Sequence, residues 1–522
     1  METAWEIYQK QGPEALWNRC CGFLDLSLEE TMALQHNLLE EQLALLARSA
    51  LGQQLFRGAE PRNAEELRAQ VPLTTYDDYA TTLGERREDV LPAPAQAWVR
   101  TSGRTGMYAH KWIPLTERAY EEMRWLTMAV VILSLAEHRG DVKLRGRDRM
   151  LEMLAPPPFV SGVLGHASQE AWPFRRFPPR TPEYDEMPFQ QRVTEAFRMG
   201  LREGVDISIA IASVLAALGD AFSQQREKPS VLALLKTPQV LARLLRATAR
   251  ARLAGRPIYP KDVWRVRGLA VSGMDASLFR EKIREQWGRY PLEVYASTEG
   301  VLMAIQAWDY TTMTFIPTLN FFEFLPEDEI ERAEQEAGYR PQTRLLDEVE
   351  PGRNYELVLT NFHGRPLVRY RTGDIVRITG RRNERAGIDL PQMAFYSRRT
   401  DLIEVAGFVL LTERVLWQAL EEAGIAYVDW TARKEVEDGQ PVVRVRIEPK
   451  PTCVFTEAEA QERIHRALCA LDQDWADMER MAGLRPLRVT YLPTGSFERY
   501  TARKRAGGAE LAHLKPLHMN AT

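Results

Sequence analysis

The chain lacks the features that mark disulfide-stabilised, membrane-spanning and secreted proteins. Only 4 of its 522 residues are cysteine, too few for a disulfide framework, so we expect reduced and partly buried thiols. The longest apolar runs, residues 125–136 and 205–218, are shorter than the about 20 residues that cross a bilayer, and they predict core helices. The first 17 residues lack the basic and apolar blocks of a signal peptide. These absences predict a cytoplasmic protein that does not enter a membrane.

The chain also lacks an excess of charge of one sign. Its 68 lysines and arginines are mixed with 72 aspartates and glutamates, which gives a net charge of −4. A nucleic-acid-binding surface needs clustered positive charge, so we expect no nucleic-acid partner. No G-x-x-x-x-G-K sequence occurs in the chain, and its absence disfavours a P-loop ATPase.

Size and apolar patterning predict an α/β fold with more than one domain. A chain of 522 residues exceeds one compact core, and residues 1–95 have helical periodicity. Between residues 263 and 300, an apolar strand, an amphipathic helix and a second strand predict a parallel βαβ crossover. Ligands bind beyond the carboxyl ends of parallel strands. The residues at those two ends are Ser272, Gly273, Ala296, Ser297 and Thr298.

Beyond Gly300 the pattern changes to short β-rich segments separated by turns, which predict a small β-barrel-like subdomain. After a charged, turn-rich stretch, helices and strands alternate again, as in an α+β domain of about 120 residues. The predicted fold class is therefore α/β. Residues 1–397 are expected to form a large N-terminal domain of doubly wound sheets plus the barrel-like subdomain. Residues 398–522 are expected to form a smaller, mobile α+β domain.

The first of three separated motifs, TSGRTG at residues 101–106, has the composition of a phosphate-binding loop. Glycines allow close backbone approach, while hydroxyls and amides donate to phosphate oxygens. Arg104 and Lys111 supply cations for a triphosphate. The same residue types also favour a polar surface turn, so the motif alone leaves both interpretations open. The predicted phosphate ligands are Ser102, Gly103, Thr105 and Gly106.

The second motif, YASTEG at residues 295–300, ends the second strand of the predicted crossover. Tyr295 can stack on a purine, Thr298 can bind a phosphate or acyl oxygen, and Glu299 can hold Mg²⁺. The alternative is a helix N-terminus capped by Ser297 or Thr298, with Glu299 near its positive end. The position at the end of a parallel strand favours a binding site.

The third motif, YRTGD at residues 370–374, places Asp374 directly after a glycine. An aspartate can accept both hydroxyls of a ribose, and Arg371 can face phosphate. A tight turn with a surface arginine is the alternative. In chain order, the three motifs therefore offer partners for phosphates, for adenine with a metal ion, and for ribose.

The three motifs in this order resemble those of the adenylate-forming superfamily, which includes acyl–coenzyme A ligases and adenylation domains. Further segments are similar to the Gretchen Hagen acyl acid–amido synthetases, and the resemblance spans residues 70–515. PLVRYRTGD is also similar to phenylacetate–coenzyme A ligases, the next closest group. The segments that resemble the amido synthetases are VPLTTYDDY, KWIPLT, FFEFLP and the ending GSFERYTARKRAGGAELAHLKPLHM.

The resemblance implies ATP and Mg²⁺ as cofactors, with Glu299 as the metal ligand and Asp374 as the ribose ligand. Arg104 stands where the superfamily has a hydroxyl residue. We expect it to act in catalysis by strengthening pyrophosphate binding, because a guanidinium matches phosphate geometry. Lys515 is the implied catalytic lysine of the C-terminal domain, and Lys504 is a second candidate. The implied hinge residues are Arg399 and Asp401.

The implied reaction is a two-step acyl transfer that needs a small-molecule carboxylic acid. ATP activates the acid as acyl-AMP with release of pyrophosphate, and the acyl group then passes to an amine, expected to be an amino acid. One alternative transfers the acyl group to coenzyme A. Another, suggested by Arg104, is a nucleotide-binding protein without turnover. Residues 120–136 and 155–168 are the candidate walls of the acid pocket, and no oligomeric state is predicted.

Overall fold

The chain divides into two compact units. The first comprises Met1–Thr372 and Val376–Phe395, and the second comprises Gly373–Ile375 and Tyr396–Thr522. The sequence predicts a domain boundary between residues 397 and 398, two residues after the division between Phe395 and Tyr396. A computed structural model describes residues 2–101, 111–187, 189–224, 238–273, 276–336, 338–398, 402–405, 409–437, 440–472, 475–476, 485–506 and 518–520.

The N-terminal part of the first unit is helical, as its periodicity predicts. Ser27 begins the second helix with a reciprocal capping box to Glu30, as a serine followed three residues later by a glutamate predicts. Thr75 is the N-cap of a short 3₁₀ turn, and the Asp78 carboxylate accepts from its amide at 2.9 Å. The helices of this unit are α1 (Ala4–Cys21), α2 (Leu28–Ala47), α3 (Ala50–Phe56), α4 (Ala64–Gln70), α5 (Ala80–Gly84), α6 (Glu117–Leu135), α7 (Val160–Ala171), α8 (Pro182–Glu186), α9 (Phe189–Glu203), α10 (Ala212–Gln224), α11 (Pro238–Leu253), α12 (Pro260–Val263), α13 (Ala276–Trp287) and α14 (Glu327–Gln335).

A mixed sheet of eleven strands forms the framework among the described residues. The strands of the first unit are β1 (Ala95–Arg100), β2 (Trp112–Thr116), β3 (Arg149–Met153), β4 (Arg175–Phe177), β5 (Ile207–Ile211), β6 (Gly268–Ser272), β7 (Leu292–Ser297), β8 (Val301–Gln306), β9 (Met313–Phe315), β10 (Asn320–Pro326), β11 (Asn354–Asn361), β12 (Tyr370–Gly380) and β13 (Gln392–Arg398). The order of the strands in the sheet is β10-β11-β12-β13-β9-β8-β7-β6-β5-β3-β4, while β1 and β2 form a separate hairpin.

The parallel part of the sheet contains the predicted βαβ crossover. Strands β4, β3, β5, β6 and β7 are parallel neighbours, and α13 connects β6 to β7. Helix α6 is buried along nearly all of its second half, so the core helix expected at residues 125–136 is confirmed. The helix expected over residues 205–218 is wrong in its first half, which forms β5. Residues 207–211, Ile-Ser-Ile-Ala-Ile, form a short run rich in β-branched isoleucine. Periodicity alone does not distinguish such a strand from a segment of a buried helix.

The antiparallel strands that follow continue the same sheet. Strands β8 and β9 pair with each other, and β9 also pairs with β13. Strands β10 and β11 pair in register from Asn320↔Asn361 to Pro326↔Tyr355. The expected separate barrel-like subdomain is therefore not confirmed. The apolar strand pattern is right, but the hydrogen bonds of β9 join these strands to the parallel part of the sheet.

The second unit is an α+β structure with its own core. Its four-stranded sheet has the order β18-β17-β16-β19, and β14 pairs with β15. Leu416, Leu420, Ile464 and Leu468 project from two helices onto this core around Trp430. Its elements are β14 (Leu402–Val405), β15 (Val409–Thr412), α15 (Glu413–Glu422), β16 (Tyr427–Glu437), β17 (Gln440–Pro449), α16 (Glu457–Leu471), β18 (Leu487–Tyr491), α17 (Ser496–Ala506) and β19 (Met519–Asn520).

The cysteines fit the sequence prediction. All four cysteines are free, and Cys20 and Cys21 are buried. Burial raises the pKa of the Cys20 thiol to about 12, which keeps it protonated and unreactive. No helix in the described part of the chain combines the length and apolar character that crossing a bilayer requires.

Candidate functional site

The hairpin β1–β2 presents the first motif. The two strands pair from Ala95↔Thr116 to Arg100↔Trp112. Beyond this register, the Thr101 amide donates to the Lys111 carbonyl at 2.9 Å, and the Lys111 amide donates to the Thr101 hydroxyl at 3.1 Å. The two described residues that flank positions 102–110 are thus tied together. The predicted phosphate ligands Ser102, Gly103, Thr105 and Gly106, with Arg104, lie outside the described residues.

The segment before the hairpin connects the first motif to the third. The Trp112 amide donates to the Tyr76 hydroxyl at 2.9 Å. Two residues earlier, Thr74 forms an isolated parallel bridge with Tyr370. Its amide donates to the Arg369 carbonyl, and its carbonyl accepts from the Arg371 amide, both at 2.9 Å. The segment around VPLTTYDDY therefore lies directly against the first residues of YRTGD.

Lys111 joins all three motifs. Its ammonium donates to the Tyr370 hydroxyl at 3.0 Å and lies 3.6 Å from the Glu299 carboxylate. The same ammonium is 5.4 Å from the centroid of the Tyr76 ring, within cation–π range. Because its backbone also pairs with Thr101, Lys111 contacts one residue of each motif: Thr101, Glu299 and Tyr370. The sequence analysis named Lys111 only as a cation near the phosphate loop.

A tight turn between β7 and β8 holds Glu299. The Gly300 amide donates to the Ser297 hydroxyl at 3.0 Å, and Val301 then adopts a φ of 64°. Gly300 has no room for a side chain, since a Cβ there would lie 2.3 Å from the Met303 sulfur. The alternative of a helix N-terminus at this motif is therefore wrong: Ser297 does bind a backbone amide, but within a turn that returns the chain antiparallel along β8.

Buried polar side chains form a clamp on this turn by donating hydrogen bonds to its backbone carbonyls. The Glu299 carbonyl accepts from the Asn361 side-chain amide at 3.1 Å and from the Arg365 guanidinium at 2.6 Å. The Gly300 carbonyl accepts from the Asn320 side chain at 2.8 Å. Sequence reasoning missed all three residues. The available signal was a polar residue at the end of an otherwise apolar strand: Asn320 begins β10 and Asn361 ends β11.

Arg365 adds a second positive charge near Glu299. Its side chain is fully buried, and among the described residues its Nε and one terminal nitrogen have no hydrogen-bond partner. Burial lowers the pKa of Arg365 to about 9, while the charge of Glu299 opposes this shift. The carboxylate of Glu299 is therefore paired with one cation, Lys111, and interacts electrostatically with a second, Arg365.

The third motif lies on β12. Asp374 is buried and follows Gly373, whose φ of 74° is the left-handed conformation that favours glycine. Arg371 donates to both oxygens of Glu356, at 3.0 and 2.5 Å. The guanidinium expected to face phosphate is thus engaged by a buried carboxylate. The phosphate role of Arg371 and the ribose role of Asp374 stay predictions.

Replacing Arg371 with methionine is expected to lower the free energy of unfolding by about 2 kcal/mol, since the buried Glu356 carboxylate loses two charge-assisted hydrogen bonds. Urea titration measures the change, and Arg377→Met on the exposed side of the same strand is the matched control. Combining Arg371→Met with Glu356→Gln should recover part of the loss. A loss of ATP affinity with unchanged stability would instead assign Arg371 to phosphate.

The other predicted site residues occupy varied positions. Ser272 ends β6, and Gly273 follows it with a φ of 125°. Tyr295 is buried on β7 beside the Phe395 ring, with centroids 5.8 Å apart, and Ala296 follows it on the same strand. Lys504 lies in α17. The predicted residues Arg399, Asp401 and Lys515 lie outside the described residues.

The described residues contain no cluster of three or more histidine, cysteine, aspartate or glutamate side chains that could hold a metal ion. Among the described residues of the candidate site, Glu299 offers a partly exposed carboxylate. A single carboxylate fits Mg²⁺ that arrives with substrate phosphates, because this ion keeps several waters and needs few protein ligands.

Comparison with known proteins supports the predicted resemblance. Residues 21–154 match the GH3 family N-terminal domain, and residues 313–398 match the GH3 family central domain. A jasmonoyl–L-amino acid synthetase of Nicotiana attenuata is 29% identical over 262 residues, which cover 48% of this chain and 42% of that protein. An indole-3-acetic acid-amido synthetase of Oryza sativa subsp. indica is 36% identical over 129 residues, which cover 23% of this chain and 19% of that protein. The chain thus matches less than half the length of these relatives.

Solved structures share the fold. The acyl acid amido synthetase AtGH3.15 in complex with 2,4-DB superposes with a TM-score of 0.67 at 17% identity, over 96% of this chain and 94% of that one. A 2-hydroxyisobutyryl-CoA ligase in the postadenylation state superposes with a TM-score of 0.56 at 13% identity, over 93% and 87%. The predicted α/β fold class is therefore confirmed, and the domain matches confirm the resemblance to the GH3 family.

Proposed function

We propose that this chain, which carries the N-terminal and central domains of the GH3 family, is an ATP-dependent acyl-acid ligase. It activates a carboxylic acid as acyl-AMP and transfers the acyl group to an amine, in our proposal an amino acid. The observation that carries the proposal is the meeting of the Lys111 ammonium with Glu299 and Tyr370. The name of one relative, a jasmonoyl–L-amino acid synthetase, supports the choice of acceptor.

The first step joins two anions, so the site must neutralise charge and hold the reactants in line. A carboxylate oxygen attacks the α-phosphorus of ATP, the bond to the bridging oxygen breaks, and pyrophosphate leaves. Lys111, with Arg104, supplies positive charge toward the phosphates. Asp374 is proposed to accept the ribose hydroxyls, and Tyr295 to contact the adenine.

Glu299 is the residue proposed to hold Mg²⁺, which when bound neutralises phosphate charge during the displacement. The clamp formed by Asn361, Arg365 and Asn320 on the backbone of the turn fixes where this carboxylate stands. A rigid carboxylate needs little reorganisation when phosphates arrive, which is the condition for effective electrostatic catalysis.

In the second step the amine nitrogen attacks the acyl carbon, AMP leaves, and the amine loses a proton. We propose that residues 398–522 move as a lid about Arg399 and Asp401 and bring Lys515, or alternatively Lys504, to the adenylate. A cytoplasmic location is part of the same proposal.

Coenzyme A is the second candidate acceptor. The similarity of PLVRYRTGD to phenylacetate–coenzyme A ligases favours it, and the fold shared with a coenzyme A ligase is compatible with it. Both candidates share the adenylation step, so they differ only in the nucleophile that meets acyl-AMP. A nucleotide-binding protein without turnover is the remaining alternative, and Arg104 in the phosphate loop motivates it.

Acid-dependent exchange of labelled pyrophosphate into ATP tests the proposal. The full chain with Mg²⁺ and a library of aromatic and aliphatic acids should exchange label with at least one acid. Glu299→Gln should reduce this exchange about 100-fold, whereas Glu336→Gln, an exposed carboxylate on the surface, should not change it. Products formed with amino acids and coenzyme A side by side, identified by mass, then separate the two acceptors.

Absence of exchange across the whole library, with ATP binding intact, would contradict the ligase proposal and favour the protein without turnover. In that case Arg104→Thr provides a direct check, because restored exchange would identify the arginine as the obstruction.

A further inference from the structure

The carboxylate proposed to hold a metal ion is already engaged by a side chain. The Lys111 ammonium lies 3.6 Å from Glu299 Oε1, and the two side chains are only 16% and 14% exposed. A partly buried ion pair of this kind is screened less by salt than a surface pair. A cation that binds Glu299 Oε1 competes with the ammonium of Lys111 for this oxygen.

The surroundings of the pair are positive. Arg365 is fully buried, donates to the backbone carbonyl of Glu299 and interacts electrostatically with the charge of Glu299, so two cations act on one carboxylate. A free divalent cation that approaches Glu299 meets repulsion from both. A bound triphosphate brings enough negative charge to turn this net repulsion of a divalent cation into attraction.

The Lys111 ammonium contacts other groups in addition to Glu299. Besides Glu299, its ammonium donates to the Tyr370 hydroxyl at 3.0 Å and stands 5.4 Å from the Tyr76 ring centroid. Its backbone is fixed to Thr101, the last described residue before the predicted phosphate loop. Lys111 is therefore linked directly to Thr101, the first residue of the motif expected to receive the phosphates, while its ammonium pairs with Glu299.

We propose that the Lys111–Glu299 pair is an exchange latch that makes metal binding depend on nucleotide. Phosphate oxygens of ATP attract the Lys111 ammonium away from Glu299, and the released carboxylate then accepts Mg²⁺. In the free protein Lys111 occupies the metal position and excludes the ion. This inference rests on the proposed function, since it assigns the order in which the ligands of the adenylation step bind.

Thermodynamic linkage gives the latch a measurable signature. If ATP raises metal affinity by releasing Glu299, the metal must raise ATP affinity by the same factor. Removing Lys111 should change the two ligands in opposite directions: the metal ion gains a vacant carboxylate, while ATP loses a cation. A lysine that only contacts phosphate would affect ATP alone.

The test measures binding rather than turnover, on the full chain. Mn²⁺ alone is titrated and followed by electron paramagnetic resonance, and ATP is titrated calorimetrically, first with EDTA and then with Mg²⁺. Lys111→Met is the main variant. Lys282→Met is the matched control, because it removes a different ion pair, the 2.7 Å pair between Lys282 of α13 and Asp220 of α10, whose side chains are 44% and 39% exposed. Circular dichroism checks that each variant is folded.

The wild type should bind Mn²⁺ alone at least about tenfold more weakly than Lys111→Met does, and Lys111→Met should weaken ATP binding in EDTA about 10- to 100-fold. Glu299→Gln should have the reverse effect on ATP: tighter binding in EDTA, because Lys111 is already free, and no further gain on adding Mg²⁺. Lys282→Met should match the wild type in every titration.

Equal Mn²⁺ affinity in the wild type and Lys111→Met would overturn the latch, and so would weaker metal-free ATP binding by Glu299→Gln. These outcomes are independent of pyrophosphate exchange. Binding titrations that follow the expected pattern in a protein without exchange would leave the latch intact and contradict only the ligase proposal.

Discussion

Replacing Arg369 with methionine should lower the free energy of unfolding by about 3–5 kcal/mol, because it leaves a buried carboxylate without its partner. The Arg369 side chain is 4% exposed and that of Glu323 is fully buried. The guanidinium donates to both Glu323 oxygens at 2.8–3.2 Å and to the carbonyl oxygens of Arg68 and Val71. It therefore ties β10 to the segment that precedes the hairpin β1–β2.

Urea titration of Arg369→Met and of a matched control, Arg353→Met, measures this effect. Arg353→Met removes an exposed arginine whose pairs to Glu350 and Asp328 are both 3.3 Å long, and it should cost less than about 1 kcal/mol. The double variant Arg369→Met with Glu323→Gln should be more stable than Arg369→Met alone, since the uncompensated charge is then removed. The φ of 44° at Arg369 strains methionine and arginine alike. Equal losses for Arg369→Met and Arg353→Met would refute the assigned role.

Raising the pH from 6.5 to 9 should remove about 3 kcal/mol of stability from the second unit through His518 alone. Burial by itself would lower the pKa of His518, but its hydrogen bonds to Asp429 and Glu413 outweigh burial and raise the pKa to about 9. The ring nitrogens lie 2.8 Å from Asp429 and 2.5 Å from Glu413, and the ring stacks on Trp430 at 4.5 Å. The protonated ring thus bridges two carboxylates inside the core.

The sign follows from the raised pKa. The unfolded chain releases the proton near pH 6.5 and the folded unit near pH 9, so the stabilisation is complete below pH 6.5 and lost as the pH rises through 9. Urea titrations from pH 6 to 10 measure the slope, which should disappear in His518→Gln. His138→Gln, which replaces an exposed histidine on the surface of the first unit, should keep it. An unchanged slope in His518→Gln would show that other groups cause the pH dependence.

Local features of the fold could be predicted because they depend on neighbouring residues. The capping box of Ser27 and Glu30 and the crossover β6–α13–β7 need only a short stretch of sequence to be recognised. The expected helix over residues 205–218 failed in its first half for the same reason: a five-residue apolar strand and a buried helical turn have the same local pattern. The antiparallel strands were expected as strands, but their continuity with the parallel sheet depends on pairing between distant segments.

The sequence by itself determined which chemical groups are present and their order: a hydroxyl- and glycine-rich loop, a strand end bearing Glu299, and a strand bearing Asp374. Only the tertiary structure decided which groups meet. Glu299 lies beside Lys111, 188 residues away in the chain, and receives its clamp from Asn361 and Arg365. The physical reason is that composition and periodicity report the preferences of nearby residues, whereas an ion pair or a clamped turn requires the packing of segments whose separation along the chain carries no local signal.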